Sequence, residues 1–340
     1  MSNVYFIPMK EYDDKKLSDA ARKLLETVIE KEGVKLEEEV PLKVHFGEYG
    51  NDTYIKPAAF EGVIEYLKEN NVKTRYIETN VLYRGKRTTR DSHIKTAKEH
   101  GFTNLPITIA DGNHGEEFSD IKINGEIFDH VRLGKAYGDF KQFIILAHFK
   151  GHAEAGFGGA MKQLAMGFAA RGGKLAQHST LNPVVSQDAC ISCGSCVEAC
   201  NYGAITLDDK AFINDSKCVG CAACVAVCPV GAIKTDWGAR DFPKRVAEYA
   251  WGAAGGRPNI YICYIMNITE FCDCNGSHME FVAENIGVAA STDPVSLDTA
   301  CLEFIQKNEN KDIFEAGRDA LLHAEKIGFG SMKYNLITVK

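Results

Sequence analysis

Two cysteine runs with the same internal spacing restrict what this chain can fold into more than any other feature. The first run comprises Cys190, Cys193, Cys196 and Cys200, and the second comprises Cys218, Cys221, Cys224 and Cys228. Each cysteine of the second run follows its counterpart by 28 residues (218 − 190), and Gly-Ala-Ile recurs at 203–205 and 231–233. This offset predicts a duplicated unit with two-fold pseudosymmetry.

The spacing within each run suits a cubane iron–sulfur cluster. Three cysteines separated by two residues each can bind one face of a cubane, and the fourth thiolate of each run then reaches the other cluster. We therefore assign one [4Fe–4S] cluster to Cys190, Cys193, Cys196 and Cys228, and the other to Cys218, Cys221, Cys224 and Cys200. Small residues between the ligands allow backbone N–H groups to approach the cluster sulfides. These residues are Gly194, Ser195, Gly220, Ala222 and Ala223.

Structural zinc is the alternative for paired Cys-x-x-Cys motifs. Four cysteines per run, repeated together with Gly-Ala-Ile, are not how zinc ribbons are spaced, so the pattern favours iron–sulfur clusters. One departure is Asn201, at a position where proline commonly follows the fourth cysteine, and it removes no ligand. The sequence thus predicts a bacterial-type two-cluster ferredoxin module and a part in electron transfer.

Charge and hydropathy argue against two classes of partner. The net charge is −7, and the densest basic stretch, 84–90, holds four basic residues. A nucleic-acid-binding protein normally presents a basic patch, so we expect no nucleic acid. The apolar runs fall far short of the ~20 residues of a membrane span, and we expect neither a span nor a secretory signal. We predict a cytoplasmic location, where a reducing environment favours metal binding or catalysis over disulfides.

Strand-like and helix-like segments alternate on both sides of the cysteine runs. Apolar runs predict strands at 4–8, 42–46, 75–78, 107–110, 143–147, 260–265 and 288–291, and a β-rich excursion at 120–133. Helical spacing predicts helices at 13–32, 92–99, 160–170, 242–250, 295–305 and 313–327, and another after Pro57. The predicted fold class is α/β, a layered domain with a mostly parallel sheet and an inserted small α+β ferredoxin-like two-cluster module. We expect the first part of the α/β domain over 1–182, the module over 183–238 and the second part over 239–340.

Outside the cysteine runs, the chain resembles the family called domain of unknown function 362, in its ferredoxin-bearing branch. The segments that carry the resemblance are VHFGE at 44–48, DGNHG at 111–115, HFKGH at 148–152, GFGGAMK at 156–162, GKLAQH at 173–178, CDC at 272–274 and DPVSLD at 293–298. Two departures are Gln163, where the family often has Asn, and Asn275, where an aromatic residue often stands. The resemblance spans nearly the whole chain. It implies an iron–sulfur protein of a kind found mainly in anaerobic organisms, and it implies no particular reaction.

Four cysteines lie outside the runs. Cys272 and Cys274 form a Cys-x-Cys pair in a polar segment, and this pair could bind one metal or part of a third cluster. A redox dithiol or a metal-transfer site is the other interpretation of the pair. Cys263 and Cys301 stand in apolar contexts, and we expect them to be buried small hydrophobes.

His148 and His152 follow a predicted buried strand, with Lys150 between them. Ligands gather at the carboxyl ends of strands in open α/β sheets, so both histidines are candidate site residues. The alternative is that both hydrogen-bond loop backbone, and the sequence favours neither.

The glycine-rich segment at 156–162 opens a predicted helix. Its N–H groups and Lys162 could bind an anion, or its glycines could simply allow close packing against the cysteine-rich module. We expect Lys174 and His178 to line the same cleft. Further along the chain, helix capping explains Asp293 and does not readily explain Asp298.

These features predict an iron–sulfur protein that passes electrons to a site in the α/β domain, a reductase of unknown substrate. The site residues would be His148, His152, Lys162, Cys272 and Cys274. The expected partners are a redox protein (a ferredoxin, a flavodoxin or a reductase), a small-molecule substrate, or both. An electron carrier, a cluster or metal scaffold, and a redox sensor are the alternatives, so the sequence leaves open whether the chain is an enzyme.

Overall fold

The computed structural model describes residues 1–235 and 239–340. The strands are β1 (Ser2–Pro8), β2 (Leu42–Lys43), β3 (Tyr76–Glu78), β4 (Ile107–Ile109), β5 (Phe118–Lys122), β6 (His130–Gly134), β7 (Ile144–His148), β8 (Lys150–His152), β9 (Gly156–Gly158), β10 (Val184–Val185), β11 (Ile205–Leu207), β12 (Ala211–Ile213), β13 (Ile233–Lys234), β14 (Ile260–Ile265), β15 (Gly287–Ser291) and β16 (Tyr334–Thr338). The helices are α1 (Asp14–Glu32), α2 (Glu61–Glu69), α3 (Arg90–Glu99), α4 (Ala160–Phe168), α5 (Arg171–His178), α6 (Ser195–Glu198), α7 (Ala223–Val227), α8 (Phe242–Ala254), α9 (Pro294–Glu309) and α10 (Arg318–Lys326). Short 3₁₀ turns occur at Pro57–Phe60, Lys135–Asp139 and Glu315–Gly317.

The central sheet is mostly parallel, which confirms the predicted α/β class. Its order within the described residues is β16-β1-β15-β14-β7-β2-β3-β4. Strand β15 is antiparallel to both of its neighbours, β1 and β14, and the other neighbouring pairs are parallel. Strands from both sides of the cysteine runs therefore share one sheet.

Both faces of the sheet are covered, and this explains why its central strands read as continuous apolar runs. In β7, Ile145 and Ala147 pack into a core with α4, α8 and α9, whereas Ile144 and Leu146 pack into a second core with α1 and α2. Cys263 and Cys301 belong to the first core and are fully buried, which confirms the prediction for both. No helix of the described residues is long and apolar enough to cross a membrane.

The segment 184–234 repeats its backbone conformation as well as its sequence. Left-handed residues occur at Ser192, Gly194 and Gly203, and again 28 residues later (220 − 192) at Gly220, Ala222 and Gly231. Strands β10 and β11 belong to the first repeat, and β12 and β13 belong to the second. Strand β10 pairs with β13, and β11 pairs with β12, so each of these two-stranded sheets takes one strand from each repeat. This arrangement agrees with the predicted pseudosymmetry. The predicted boundary at 238 lies outside the described residues.

The structure corrects three predicted elements, of which the strand predicted at 42–46 covers only Leu42–Lys43. The helix predicted at 160–170 ends at Phe168, because Ala169 pairs with Leu133 and the N–H of Ala170 donates to the Arg132 carbonyl at 3.2 Å. The helix predicted at 313–327 begins only at Arg318, after a left-handed Phe314 and a 3₁₀ turn. The excursion predicted at 120–133 is the hairpin β5–β6, with Asn124 left-handed in its turn.

Candidate functional site

A cavity of about 290 Å³ lies at the carboxyl ends of the parallel strands β2, β3, β7 and β14. The structure brings every site residue predicted outside the cysteine runs to this cavity: His148, His152, Lys162, Cys272 and Cys274. Lys174 and His178 line it as well, as expected from the sequence. The position agrees with the rule that ligands bind outside the carboxyl ends of strands in open α/β sheets.

Cys272 and Cys274 form a thiol pair on the wall of the cavity. Cys272 is 5% exposed, and its carbonyl accepts a hydrogen bond from the N–H of Asn275 at 2.8 Å, which closes a tight turn. The Cys274 thiol donates to the Cys272 sulfur, and the Lys162 ammonium lies 3.5 Å from the same atom. The hydrogen bond from Cys274 and the positive charge of Lys162 outweigh burial and hold the pKa of Cys272 well below its usual range. The same hydrogen bond raises the pKa of Cys274, so the pair retains one proton between its two sulfurs.

The residue between the two cysteines anchors this loop. The Asp273 carboxylate is buried, 2.9 Å from the Lys150 ammonium and 2.9 Å from Nδ1 of His148. Burial raises the pKa of Asp273, but the opposing attraction of His148 and Lys150 is stronger and holds that pKa well below its usual range. The sequence interpretation missed Asp273, although a charged residue enclosed by two cysteines was a visible signal.

The two predicted histidines have most of their hydrogen-bonding capacity occupied by the protein. His148 contacts Asp273 through Nδ1 and the Met266 carbonyl through Nε2, at 2.7 Å. Nδ1 of His152 accepts from the backbone N–H groups of Glu154 and Ala155 at 3.2 and 3.0 Å. Burial, with the nearby Lys162 charge, lowers the pKa of His152 to about 2, so its ring is neutral. His148 therefore supports the loop, and Nε2 is the ring nitrogen of His152 that carries hydrogen.

A buried ion pair and two hydrogen bonds involve Glu78, Thr79 and Lys174, which line the cavity. Lys43 and Glu78 pair at 3.0 Å, with both side chains almost fully buried. Lys174 donates to Thr79 and to the Ala169 carbonyl, and burial lowers the pKa of Lys174 to about 8. Lys174 lines this part of the cavity, as does Glu78, the partner of Lys43.

The glycine-rich segment does not offer its first helical N–H groups to a ligand. The N–H groups of Ala160 and Met161 donate to the two carboxylate oxygens of Asp298, at 2.7 and 2.8 Å. A Cβ at Gly159 would lie 2.3 Å from the same carboxylate, and one at Gly156 would overlap the backbone of Gly317. The anion-binding interpretation is thus wrong for these two N–H groups. Close packing is present, but against Asp298 and Gly317 rather than against the cysteine-rich segment.

The eight cysteines of the runs line two separate small cavities, four to each. The first cavity has Cys190, Cys193, Cys196 and Cys228 in its wall, and the second has Cys200, Cys218, Cys221 and Cys224. These are the sets of three plus one that the spacing predicted. Each fourth cysteine also accepts a backbone hydrogen bond, from Ala204 to Cys200 at 3.3 Å and from Ala232 to Cys228 at 3.1 Å.

Helix α5 connects the second cysteine set to the large cavity. A Cβ at Gly172, in the first turn of α5, would lie 2.6 Å from the Gly220 carbonyl oxygen and 3.0 Å from Cα of Cys221. Leu175, one turn later, belongs to an apolar cluster with Leu82 and Ala222. Since Leu82 also lines the large cavity, a packed contact runs from the cysteine loop to that cavity.

Two solved structures are similar in overall shape. One is a protein from Thermotoga maritima, a structural genomics target, with a TM-score of 0.44, 9% identity and coverage of 94% of this chain and 61% of that chain. The other is the lactate racemase apoprotein from Thermoanaerobacterium thermosaccharolyticum, with a TM-score of 0.44, 12% identity and coverage of 89% of this chain and 57% of that chain. This chain thus spans less than two thirds of either protein.

Comparison with protein families gives the clearer result. The curated proteins include no match to this sequence. The model of the family described as domain of unknown function (DUF362) matches residues 40–303, which is more than half of the chain. The matched range includes the cysteine runs and every residue of the large cavity named above. The chain therefore belongs to the DUF362 family.

Proposed function

We propose that this chain is an iron–sulfur electron-transfer protein, in which a bacterial-type ferredoxin module at 183–238 supplies electrons to a ligand in the large cavity. The observation that carries the proposal is the sorting of eight cysteines into two cavities, four to each, in sets of three plus one. The crossed fourth cysteine is the arrangement that two-cluster ferredoxins use. Strands on both sides of this segment share the central sheet, which supports an insertion.

The donor sets fit [4Fe–4S] clusters better than single metal ions. Within 1–235 and 239–340, no three His, Cys, Asp or Glu side chains converge as the ligands of one ion would. In a cubane each thiolate binds a different iron, so its four ligands stand further apart than the ligands of one zinc ion. A cluster bound here would accept and release one electron at a time. The N–H groups of Ala204 and Ala232 would stabilise negative charge at the sulfurs they contact.

The contacts of the two cysteine sets suggest a direction for electron transfer through the module. The first set has an exposed Cys193 and is flanked by Ile191 and Val230, which are 58% and 42% exposed. We assign this side to a redox partner protein, a ferredoxin, a flavodoxin or a reductase. The second set contacts α5, so we assign it to the step towards the cavity.

In the cavity, this chain's own residues would bind and reduce a small molecule. Lys162 supplies positive charge beside Cys272, and the neutral His152 can donate one hydrogen bond from Nε2. Asp273 and His148 hold the cysteine loop in place.

A single metal ion at Cys272 and Cys274 fits the structure poorly. The neighbouring carboxylate, Asp273, is already paired with His148 and Lys150. No third His, Cys, Asp or Glu ligand joins the two thiols in the described part of the chain. We therefore derive no step through a metal at this pair.

The first test is the iron and acid-labile sulfide content of anaerobically purified protein, with electron paramagnetic resonance of the reduced sample. We expect about eight irons and about eight sulfides per chain. Replacing Cys190 or Cys218 with serine should lower both counts, whereas Cys301→Ala, which removes a buried core thiol, should not. Bound zinc, or no metal, would refute the module. A count near twelve that falls in Cys272→Ser would instead indicate a third cluster.

A second measurement separates a reductase from an electron carrier. A reductase should bind a small molecule in the large cavity, and the ligand should protect Cys272 from alkylation. A protein with both clusters whose Cys272 is never protected by any candidate ligand would support the carrier.

A further inference from the structure

Two pairs of neighbouring thiols lie outside the cysteine runs. Cys263 and Cys301 contact each other in the core, where both are fully buried. Cys272 and Cys274 contact each other at the wall of the large cavity, with an ammonium group 3.5 Å from Cys272. Only the second pair can meet a ligand, so the chain contains a candidate reactive pair and a matched unreactive one.

We propose that Cys272 and Cys274 form a dithiol–disulfide couple that reduces a small-molecule disulfide bound in the cavity. The inference rests on the proposed function, because the module would supply the electrons. Two clusters that each carry one electron match the two electrons that a dithiol–disulfide couple takes.

The turn at the pair permits a bond between its sulfurs. The hydrogen bond from Asn275 to the Cys272 carbonyl closes a tight turn around the two cysteines, and both line the same cavity. A disulfide requires closely approaching Cα atoms, and a turn provides that approach without rearrangement of the sheet.

The shape of the site identifies the class of substrate. Cys272 is only 5% exposed, and it faces a cavity of about 290 Å³. A disulfide on the surface of a folded protein cannot reach a sulfur in this position, whereas a small organic disulfide can enter. Attack on a sulfur–sulfur bond needs a thiolate in line with it, and Lys162 stabilises that charge on Cys272.

The reaction balances with the reduced redox partner protein as the source of its two electrons. The Cys272 thiolate attacks one sulfur of R–S–S–R′, forms a mixed disulfide and releases R′–S⁻. The Cys274 thiol gives its proton to R′–S⁻, and its sulfur then attacks Cys272 Sγ, which releases R–S⁻ and leaves a disulfide between Cys272 and Cys274. Two electrons supplied through the module and one proton from water restore the thiolate and the thiol.

Electron counting tests the couple without measuring turnover. Protein oxidised anaerobically with bis(2-hydroxyethyl) disulfide and then desalted is titrated with dithionite. We expect about four electrons per chain, two for the clusters and two for the disulfide. Cys272→Ser should take about two electrons with an unchanged iron content, whereas Cys274→Ser should keep the mixed disulfide at Cys272 and still take about four electrons. Cys301→Ala should still take about four.

Thiol mapping of the wild-type protein provides a second measurement that does not depend on variants. After oxidation, alkylation and digestion, we expect the peptide with Cys272 and Cys274 to be unlabelled and lighter by two hydrogens. Wild-type protein that takes only two electrons would overturn the inference, as would a count of four that falls in Cys301→Ala but not in Cys272→Ser. Protein without iron would overturn the proposed function, which the iron analysis reveals independently.

Discussion

The loop around Cys272 and Cys274 depends on the residue between them. Asp273 is fully buried and paired with His148 and Lys150, while the flanking cysteines line the cavity. A buried carboxylate is costly unless it is paired, and here two partners compensate it. The contacts of Asp273 with His148 and Lys150 thus fix the positions of Cys272 and Cys274.

At the residue scale, the charge of Lys162 should control the reactivity of Cys272. Lys162→Met removes the ammonium 3.5 Å from the sulfur and keeps an unbranched side chain of similar length. Without that charge the thiol form is favoured, so the pKa of Cys272 should rise. At pH values below the pKa of Cys272, we expect iodoacetamide to alkylate it roughly tenfold more slowly for each unit of that rise, with no loss of rate at pH values well above the raised pKa. Peptide mapping over a pH series measures the rate.

The control for this experiment is Lys141→Met, because Lys141 is exposed and does not line the cavity. Its alkylation profile at Cys272 should match that of the wild type. Equal rates in the Lys162 and Lys141 variants would show that the ammonium does not activate the thiol.

At the scale of elements, the start of α4 is fixed by a carboxylate from α9. Asp298 accepts from the N–H groups of Ala160 and Met161, which a helix otherwise leaves without partners. The carboxylate is fully buried, and burial raises the pKa of Asp298 from 3.8 to about 7. Two elements far apart in the sequence are therefore joined by one titratable group.

This pKa predicts how stability changes with pH. The folded state holds the Asp298 proton more tightly than the unfolded state, so this contribution to stability is complete below about pH 3.8 and is lost as the pH rises through about 7. Relative to Asp298→Asn, the wild type should lose up to about 1.4 kcal/mol of stability per pH unit within that window. Thermal unfolding of anaerobic protein between about pH 5 and about pH 8 measures the difference.

Asp312→Asn is the matched control, because Asp312 is exposed in a loop. Its melting temperature should follow that of the wild type at every pH. If the melting temperatures of the wild type and Asp298→Asn changed in parallel with pH, the raised pKa of Asp298 would be contradicted.

At the scale of the whole molecule, α5 joins the cysteine-rich segment to the large cavity. Its first turn packs against Gly220 and Cys221, and its later residues Lys174 and His178 line the cavity. The apolar contact among Leu82, Leu175 and Ala222 also joins the second cysteine loop to the cavity. One short helix therefore connects the two regions that the proposed electron transfer needs to connect.

Gly172→Ala should weaken this connection. The new methyl group would meet the Gly220 carbonyl oxygen at 2.6 Å, so the second cysteine loop must move away from α5. We expect a stability loss of about 1–3 kcal/mol and an unchanged iron content. The thiols of Cys272 and Cys274 should also appear more slowly after dithionite is added, which stopped-flow alkylation measures.

Gly138→Ala is the control, since a methyl group there would meet no atom within 4 Å. Its stability and its rate of thiol appearance should stay close to those of the wild type. A Gly172→Ala protein with wild-type rates would exclude α5 as the connection.

Much of the fold could be predicted because its signals are local. The strands β7 and β14 are buried on both faces and appear as apolar runs, and α1 shows helical spacing over 19 residues. The end of α4 could not be predicted, because Ala169 and Ala170 favour helix. Their extended conformation follows from contacts with β6, whose residues precede them by more than 30 positions.

By itself, the sequence determined the two cysteine sets, the alternation of strands and helices and the candidate residues of the large cavity. Ligand spacing and hydrophobic periodicity depend on neighbours a few residues apart, and the sequence states them directly. Only the tertiary structure decided that Lys162 meets Cys272, that Asp298 occupies the start of α4, and that α5 contacts the second cysteine set. Such contacts join residues distant in the chain, and the order of strands in the sheet, which no local pattern encodes, brings them together.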